Sequence, residues 1–166
     1  LEAFEESWVT ETIAFKPYAC GTMTHPYIDC ARRLAEQGIK PEHIADILCD
    51  TADGYVHRLW EPLATKQSPA NGYAGKFSQP YCIAAGLVRH NVGLGDFTEE
   101  AVKDQRVLAV AGKVRYRIDP CNPYPKNFTG HIRATLRDGS VVEERQPHPG
   151  AMRSRHPRDR DHSSCE

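Results

Sequence analysis

Lys16, His25 and Tyr81 are the side chains best suited to acid–base and electrostatic catalysis; Lys16 falls in an expected strand, His25 at one expected helix start and Tyr81 in the first turn of another. A lysine can pair a substrate carboxylate and hold charge as it develops in a transition state. A histidine at a helix start faces the positive end of the helix dipole, where a neutral imidazole can accept a proton or donate a hydrogen bond. A tyrosine phenol can donate to a carboxylate or to a departing hydroxyl. Lys76, Thr24 and Ser78 add a second cation and two hydroxyls as candidate substrate-binding groups. Such a set suits removal of a proton next to a carboxylate, which needs a neutralised substrate, a stabilised intermediate and a base within reach. Each residue also has a plainer use. The lysines can be solvated, His25 can sit at the helix end as a cap, and Tyr81 can be a core aromatic with its hydroxyl at the rim.

Other chemistries find little footing. The eight histidines include no His-x-x-x-His pair and the six cysteines no Cys-x-x-Cys pair, so no metal is expected. Gly93-Leu94-Gly95 lacks the third glycine of a dinucleotide loop and reads as a helix terminator. Cys20, Cys30, Cys49 and Cys82 lie in apolar stretches and are expected as small core residues. A formal net charge of -1 gives no global field for nucleic acid or membrane. No apolar run approaches the roughly 20 residues that span a bilayer. The first ten residues do not read as an export signal, so reduced thiols and a cytoplasmic location are expected.

The elements that must position these residues follow from periodicity. Glu11 to Cys20 is rich in β-branched and aromatic residues and reads as a strand, irregular after Pro17. A helix begins near Thr24 or His25 with Pro26 in its first turn; Ile28, Ala31, Leu34 and Ala35 share one face, and Gly38 stops it. Ile44 to Cys49 reads as a short strand. Thr51 to Gly75 reads as a long excursion with one helical turn, of a length that is often functional. A second helix starts at Ser78 with Pro80 in its first turn and ends by Asn91 and Gly93. Thr98 and Asp104 suit the N-caps of two short helices. Lys113 to Ile118 alternates strictly, as do Ile132, Ala134 and Leu136, and Asp138-Gly139 turns the chain into Val141 and Val142. The expected fold class is α+β, a two-layer α/β sandwich with a mixed, largely antiparallel sheet.

Five motifs in register resemble the carboxy-terminal domain of the MmgE/PrpD family, the group of 2-methylcitrate dehydratase, cis-aconitate decarboxylase and iminodisuccinate epimerase. Phe15-Lys16-Pro17-Tyr18 with Thr24-His25 and Ile28-Asp29 is similar to the family's entry into its helix. Lys76-Phe77-Ser78-Gln79-Pro80-Tyr81 resembles its most specific motif. Gly38-Ile39 with Pro41-Glu42 and Ile44, then Asp96-Phe97-Thr98, then Leu136-Arg137-Asp138-Gly139, follow in the family's order. The likeness runs from about Leu1 to Gln146.

The resemblance implies cofactor-independent lyase or isomerase chemistry on a small di- or tricarboxylate. Dehydration of the 2-methylcitrate type is the first choice, within propionate metabolism, and dicarboxylate isomerisation the second. Lys16, His25 and Tyr81 would be catalytic, and Lys76, Thr24 and Ser78 would bind substrate. Gly21 stands where some members carry a histidine, which sets this chain apart from the decarboxylating branch. Family members also begin with a large helical domain, so residues 1–11 are expected to link to a missing upstream domain. Residues 12–149 form the family-type domain and 150–166 a disordered Arg-rich tail. The missing helical domain is then the expected partner. An isolated chain would be an inactive fold unit, associating as a homodimer through an exposed apolar face. A nucleic-acid module would need the basic tail and Lys113, Arg115 and Arg117 to form one surface, and ranks last.

Overall fold

A computed structural model describes residues 16–147. Residues 11–15 of the expected first strand, the linker 1–11 and the tail 150–166 lie outside them. The described end of that strand, Lys16–Cys20, is a bend rather than extended pairing backbone. Pro17 lacks the N–H that a ladder would use. The Tyr18 hydroxyl turns inward to Asp29 Oδ1, 2.5 Å away.

The first helix, α1 (His25–Glu36), starts where Pro26 suits the opening turn, and buries Ile28, Ala31, Leu34 and Ala35 on one face. Gly38, at φ +85°, ends it in a conformation that side chains with a Cβ avoid. Strand β1 (Ile44–Thr51) follows and runs two residues past its expected end. The excursion from Thr51 holds three short helices: α2 (Val56–Leu59), α3 (Leu63–Gln67) and α4 (Gly72–Gly75). Elements of four or five residues carry no readable period and are held by tertiary contacts. Lys66 supplies one such contact, donating to the carbonyls of Arg58 (2.6 Å) and Phe77 (2.8 Å). Trp60 supplies another, buried with its indole N–H on Thr51 Oγ1 at 2.9 Å.

Helix α5 (Gln79–Arg89) is capped by Ser78, whose Oγ accepts from the Tyr81 N–H, and ends at His90 in the left-handed region. The Thr98 hydroxyl accepts from the Ala101 N–H, opening a single turn, and Asp104 caps α6 (Gln105–Ala111). Strands β2 (Val114–Ile118), β3 (Gly130–Leu136) and β4 (Val141–Gln146) complete a four-stranded sheet of order β2-β1-β3-β4. Only the β1–β2 pair is parallel; β1–β3 and β3–β4 are antiparallel. The architecture is therefore α+β with a mixed, largely antiparallel sheet.

One face of the sheet carries Ile47, Cys49, Val114, Ile132 and Ala134 into the core. Helix α1 lies over β3 and β4. Arg33 ties it down, reaching Glu144 Oε2 and Gln146 Oε1 at 2.7 Å each and the Arg145 carbonyl at 3.0 Å. The opposite face is laced by charge: Arg117 pairs with Asp50, and His131 stands between Asp50 (2.5 Å) and Glu143 (2.7 Å). Lys113 is spent on the carbonyls of Ile44 (2.6 Å) and Pro41 (3.3 Å). The basic alternation of β2 is thus largely engaged within the domain.

Candidate carboxylate site at two parallel helix starts

The two longest helices begin side by side. The loops leading into them are joined, because the Gly21 N–H donates to the Lys76 carbonyl at 3.0 Å, and the Thr24 hydroxyl lies 2.9 Å from the Cys20 sulfur. One turn further on, the bare Cα of Gly86 faces α1: a Cβ there would lie 3.1 Å from the Ala31 Cβ and 3.3 Å from the Ile28 carbonyl. Both contacts advance in the same chain direction, so the helices are parallel and their positive ends meet at one place. Close packing at glycine lets them approach.

His25 is the first residue of α1 and is 1% exposed. Its ring meets Tyr18 edge to face. Its Nε2 is buried with no hydrogen-bond partner among the described residues. Gln79, the first residue of α5, is fully buried, and neither end of its side-chain amide has a partner among the described residues. A buried polar atom left unpaired costs roughly 1–3 kcal/mol, so two such groups at one pair of helix starts ask for a ligand or water.

Lys16 is exposed at the entry of the bend, two residues before Tyr18, and Lys76 is half-buried in the joined loop. Among the described residues no hydrogen bond or ion pair holds either ammonium. Thr24 is fully buried, donating to the Gly21 carbonyl at 2.7 Å, with its oxygen 2.9 Å from Cys20 Sγ. Ser78 is fully buried too, capping α5 and donating to the Lys66 carbonyl. These two hydroxyls brace the helix starts. Tyr81 belongs to neither group. It is fully buried, and its hydroxyl donates to the carbonyls of Asp96 (2.6 Å) and Ala101 (3.2 Å), which burial accompanies by raising its pKa to about 12. The structure thus brings Thr24 and His25 together beside the joined loops of Lys16 and Lys76, and turns Tyr81 to the far side of α5.

Sequence reading missed the supporting residues. Tyr18 is raised to about 12 by burial and by its hydrogen bond to Asp29, while Arg32 Nη1 donates to the same hydroxyl at 3.1 Å. Tyr18 stands inside the first motif, and that was the available signal. Gln79 likewise stands inside the second motif.

Residues 18–163 match the MmgE/PrpD C-terminal domain, a span that continues past Gln146 into the Arg-rich segment. A 2-methylcitrate dehydratase-like protein of Aspergillus oryzae is 25% identical over 158 residues, which cover 86% of this chain and 31% of that protein. The chain therefore spans about a third of that relative's length. With the family model covering most of its residues, this chain belongs to the MmgE/PrpD family, as its carboxy-terminal domain.

Proposed function

We propose that this domain supplies one wall of a carboxylate site in a lyase of the 2-methylcitrate dehydratase type. The supporting observation is the meeting of two parallel helix starts at a buried imidazole whose Nε2 has no partner among the described residues, beside loops carrying two lysines. Helix N-termini attract anions, and Lys16 and Lys76 add full charges that pair substrate carboxylates. In dehydration a proton leaves the carbon next to a carboxylate and the hydroxyl on the neighbouring carbon departs as water. Lys16 holds the charge that spreads onto the carboxylate. His25 donates to or accepts from the reacting groups through Nε2. Tyr81 acts only by holding α5 in place. The remainder of the site comes from a helical domain outside this chain, in keeping with the fraction of the relative that the chain spans. An isomerase of a dicarboxylate would use the same wall and the same first proton transfer.

The test is a two-dimensional amide NMR titration of the 166-residue chain with 2-methylcitrate, citrate and cis-aconitate beside a chloride control. Shifts centred on residues 16–25 and 76–81 that exceed the control, and that vanish in Lys16→Ala, are the expected result. Shifts no larger than those of chloride would remove the basis for a carboxylate wall.

A further inference from the structure

Gln79 opens α5 with a fully buried side chain, and neither end of its amide has a partner among the described residues. With His25 Nε2 it supplies three of the four buried, unpartnered side-chain atoms among those residues. Two ties set the relative height of these groups. At the entry, the Gly21 N–H donates to the Lys76 carbonyl; further along, Gly86 packs on Ile28 and Ala31. The single turn Thr22–Thr24 also packs on α5. Gln79 precedes Gly86 by seven residues, almost two full turns, and so lies on the same stripe of α5. The same step back from Ile28 and Ala31 reaches Gly21 and Thr24 on the other chain segment. The Gln79 side chain therefore leaves α5 toward the start of α1, level with Thr24 and His25.

We infer that Gln79 is a positioning residue that binds one buried water together with His25 Nε2. The inference rests on the reading of His25 as the proton carrier of the wall. A carboxylate only accepts hydrogen bonds, so it could meet the amide nitrogen of Gln79 but not its oxygen. Water both donates and accepts, and buried water is held by polar groups that otherwise lack partners. The amide can present either end to it. When Nε2 is bare, the water donates to Nε2 and accepts from the Gln79 amide N–H. When Nε2 carries a proton, it donates to the water, and the water donates to the Gln79 oxygen once the amide has turned over. The imidazole nitrogen thus keeps a partner in both states, as a group that takes up and returns a proton requires. A reacting group reaches His25 through this water: one proton arrives at its oxygen as another leaves it for Nε2, and the water is unchanged.

The experiment uses the isotope-labelled 166-residue chain with no carboxylate added. It reads the His25 ring nitrogens by long-range proton–nitrogen correlation, and bound water by nuclear Overhauser transfer to side-chain protons. Expected are contacts with one long-lived water at both the Gln79 amide protons and the His25 ring proton next to Nε2. In Gln79→Met, which neither donates nor accepts through an amide, both contacts should vanish and the His25 Nε2 signal should move. Gln79→Glu, which as a carboxylate only accepts, should leave Nε2 carrying the proton, and it serves if the methionine variant folds poorly. The inference is overturned if the wild-type chain shows no bound-water contact at Gln79. It is overturned equally if the His25 nitrogens of a folded Gln79→Met chain keep their wild-type signals. Both readouts are made without ligand, so they fail or stand independently of the carboxylate titration that tests the wall.

Discussion

Tyr18 and His25 meet edge to face, with ring centroids 5.3 Å apart and planes at 76°. The contact fixes the bend that carries Lys16 against the first residue of α1. The Tyr18 hydroxyl then binds Asp29 one turn further along the same helix. A single buried aromatic therefore sets the distance between a candidate cation and a candidate proton carrier, which is what a preorganised site requires. Tyr18→Phe keeps the ring and removes two hydrogen bonds, the one to Asp29 and the one from Arg32, and should cost about 1–3 kcal/mol in urea unfolding. Tyr18→Ala removes the wedge and should cost about 3 kcal/mol, with the carboxylate-induced shifts near Lys16 reduced as well.

Tyr81 separates a structural from a chemical role. Its hydroxyl satisfies two backbone carbonyls in the segment between α5 and α6, where Arg89 also holds Asp96 (2.6 Å) and Asp104 (3.3 Å). Tyr81→Phe should lower stability by about 1–3 kcal/mol because those carbonyls stay buried. Carboxylate affinity in the NMR titration should not change. A variant of normal stability with weakened binding would return Tyr81 to the site.

Gly130 is the place where β3 touches the start of α1. A Cβ there would lie 2.6 Å from both the Pro26 carbonyl carbon and its oxygen, and 2.8 Å from the Tyr27 nitrogen, all of them backbone. Gly130→Ala should destabilise the domain by about 3 kcal/mol, since no flexible side chain can yield. Gly139 has open space but a φ of +86°, so Gly139→Ala should cost about 1 kcal/mol through backbone strain alone. Thermal unfolding of the two variants side by side tests the ranking.

The charged face of the sheet should weaken in acid. Arg145, with His131 and Arg133, holds Glu143 down to about 2. Burial alone would raise Asp50, but Arg117 and His131 outweigh it and lower its carboxyl. Both carboxylates are thus lower in the folded chain than in the unfolded one. Their contribution is present above the unfolded Glu value of about 4.3 and is lost as pH falls from there toward 2. Glu143→Gln should flatten the acid limb of a stability-against-pH curve measured in urea. An unchanged limb would mean that the lattice seen across β1, β3 and β4 adds nothing in solution.

The sequence by itself determined the elements with long periods and clear punctuation. Helix α1 is marked by Pro26 and Gly38, α5 by Ser78 and Pro80, and the last hairpin by Asp138-Gly139, each through a local rule of backbone geometry. It also determined the family, because motifs in register survive where a single short motif would not. The tertiary structure decided what local rules cannot carry. The turns α2, α3 and α4 exist through contacts such as Lys66 with Phe77 and Trp60 with Thr51. Lys16–Cys20 is a bend because Tyr18 finds its partners on α1. The site followed the same division. Thr24 and His25 could be placed at a helix start from residue type and position. Tyr81 faces away from it only because α5 has one rotation about its axis once α1 and α6 are packed on it. That rotation is fixed by burial over the whole domain, so no window along the chain contains it.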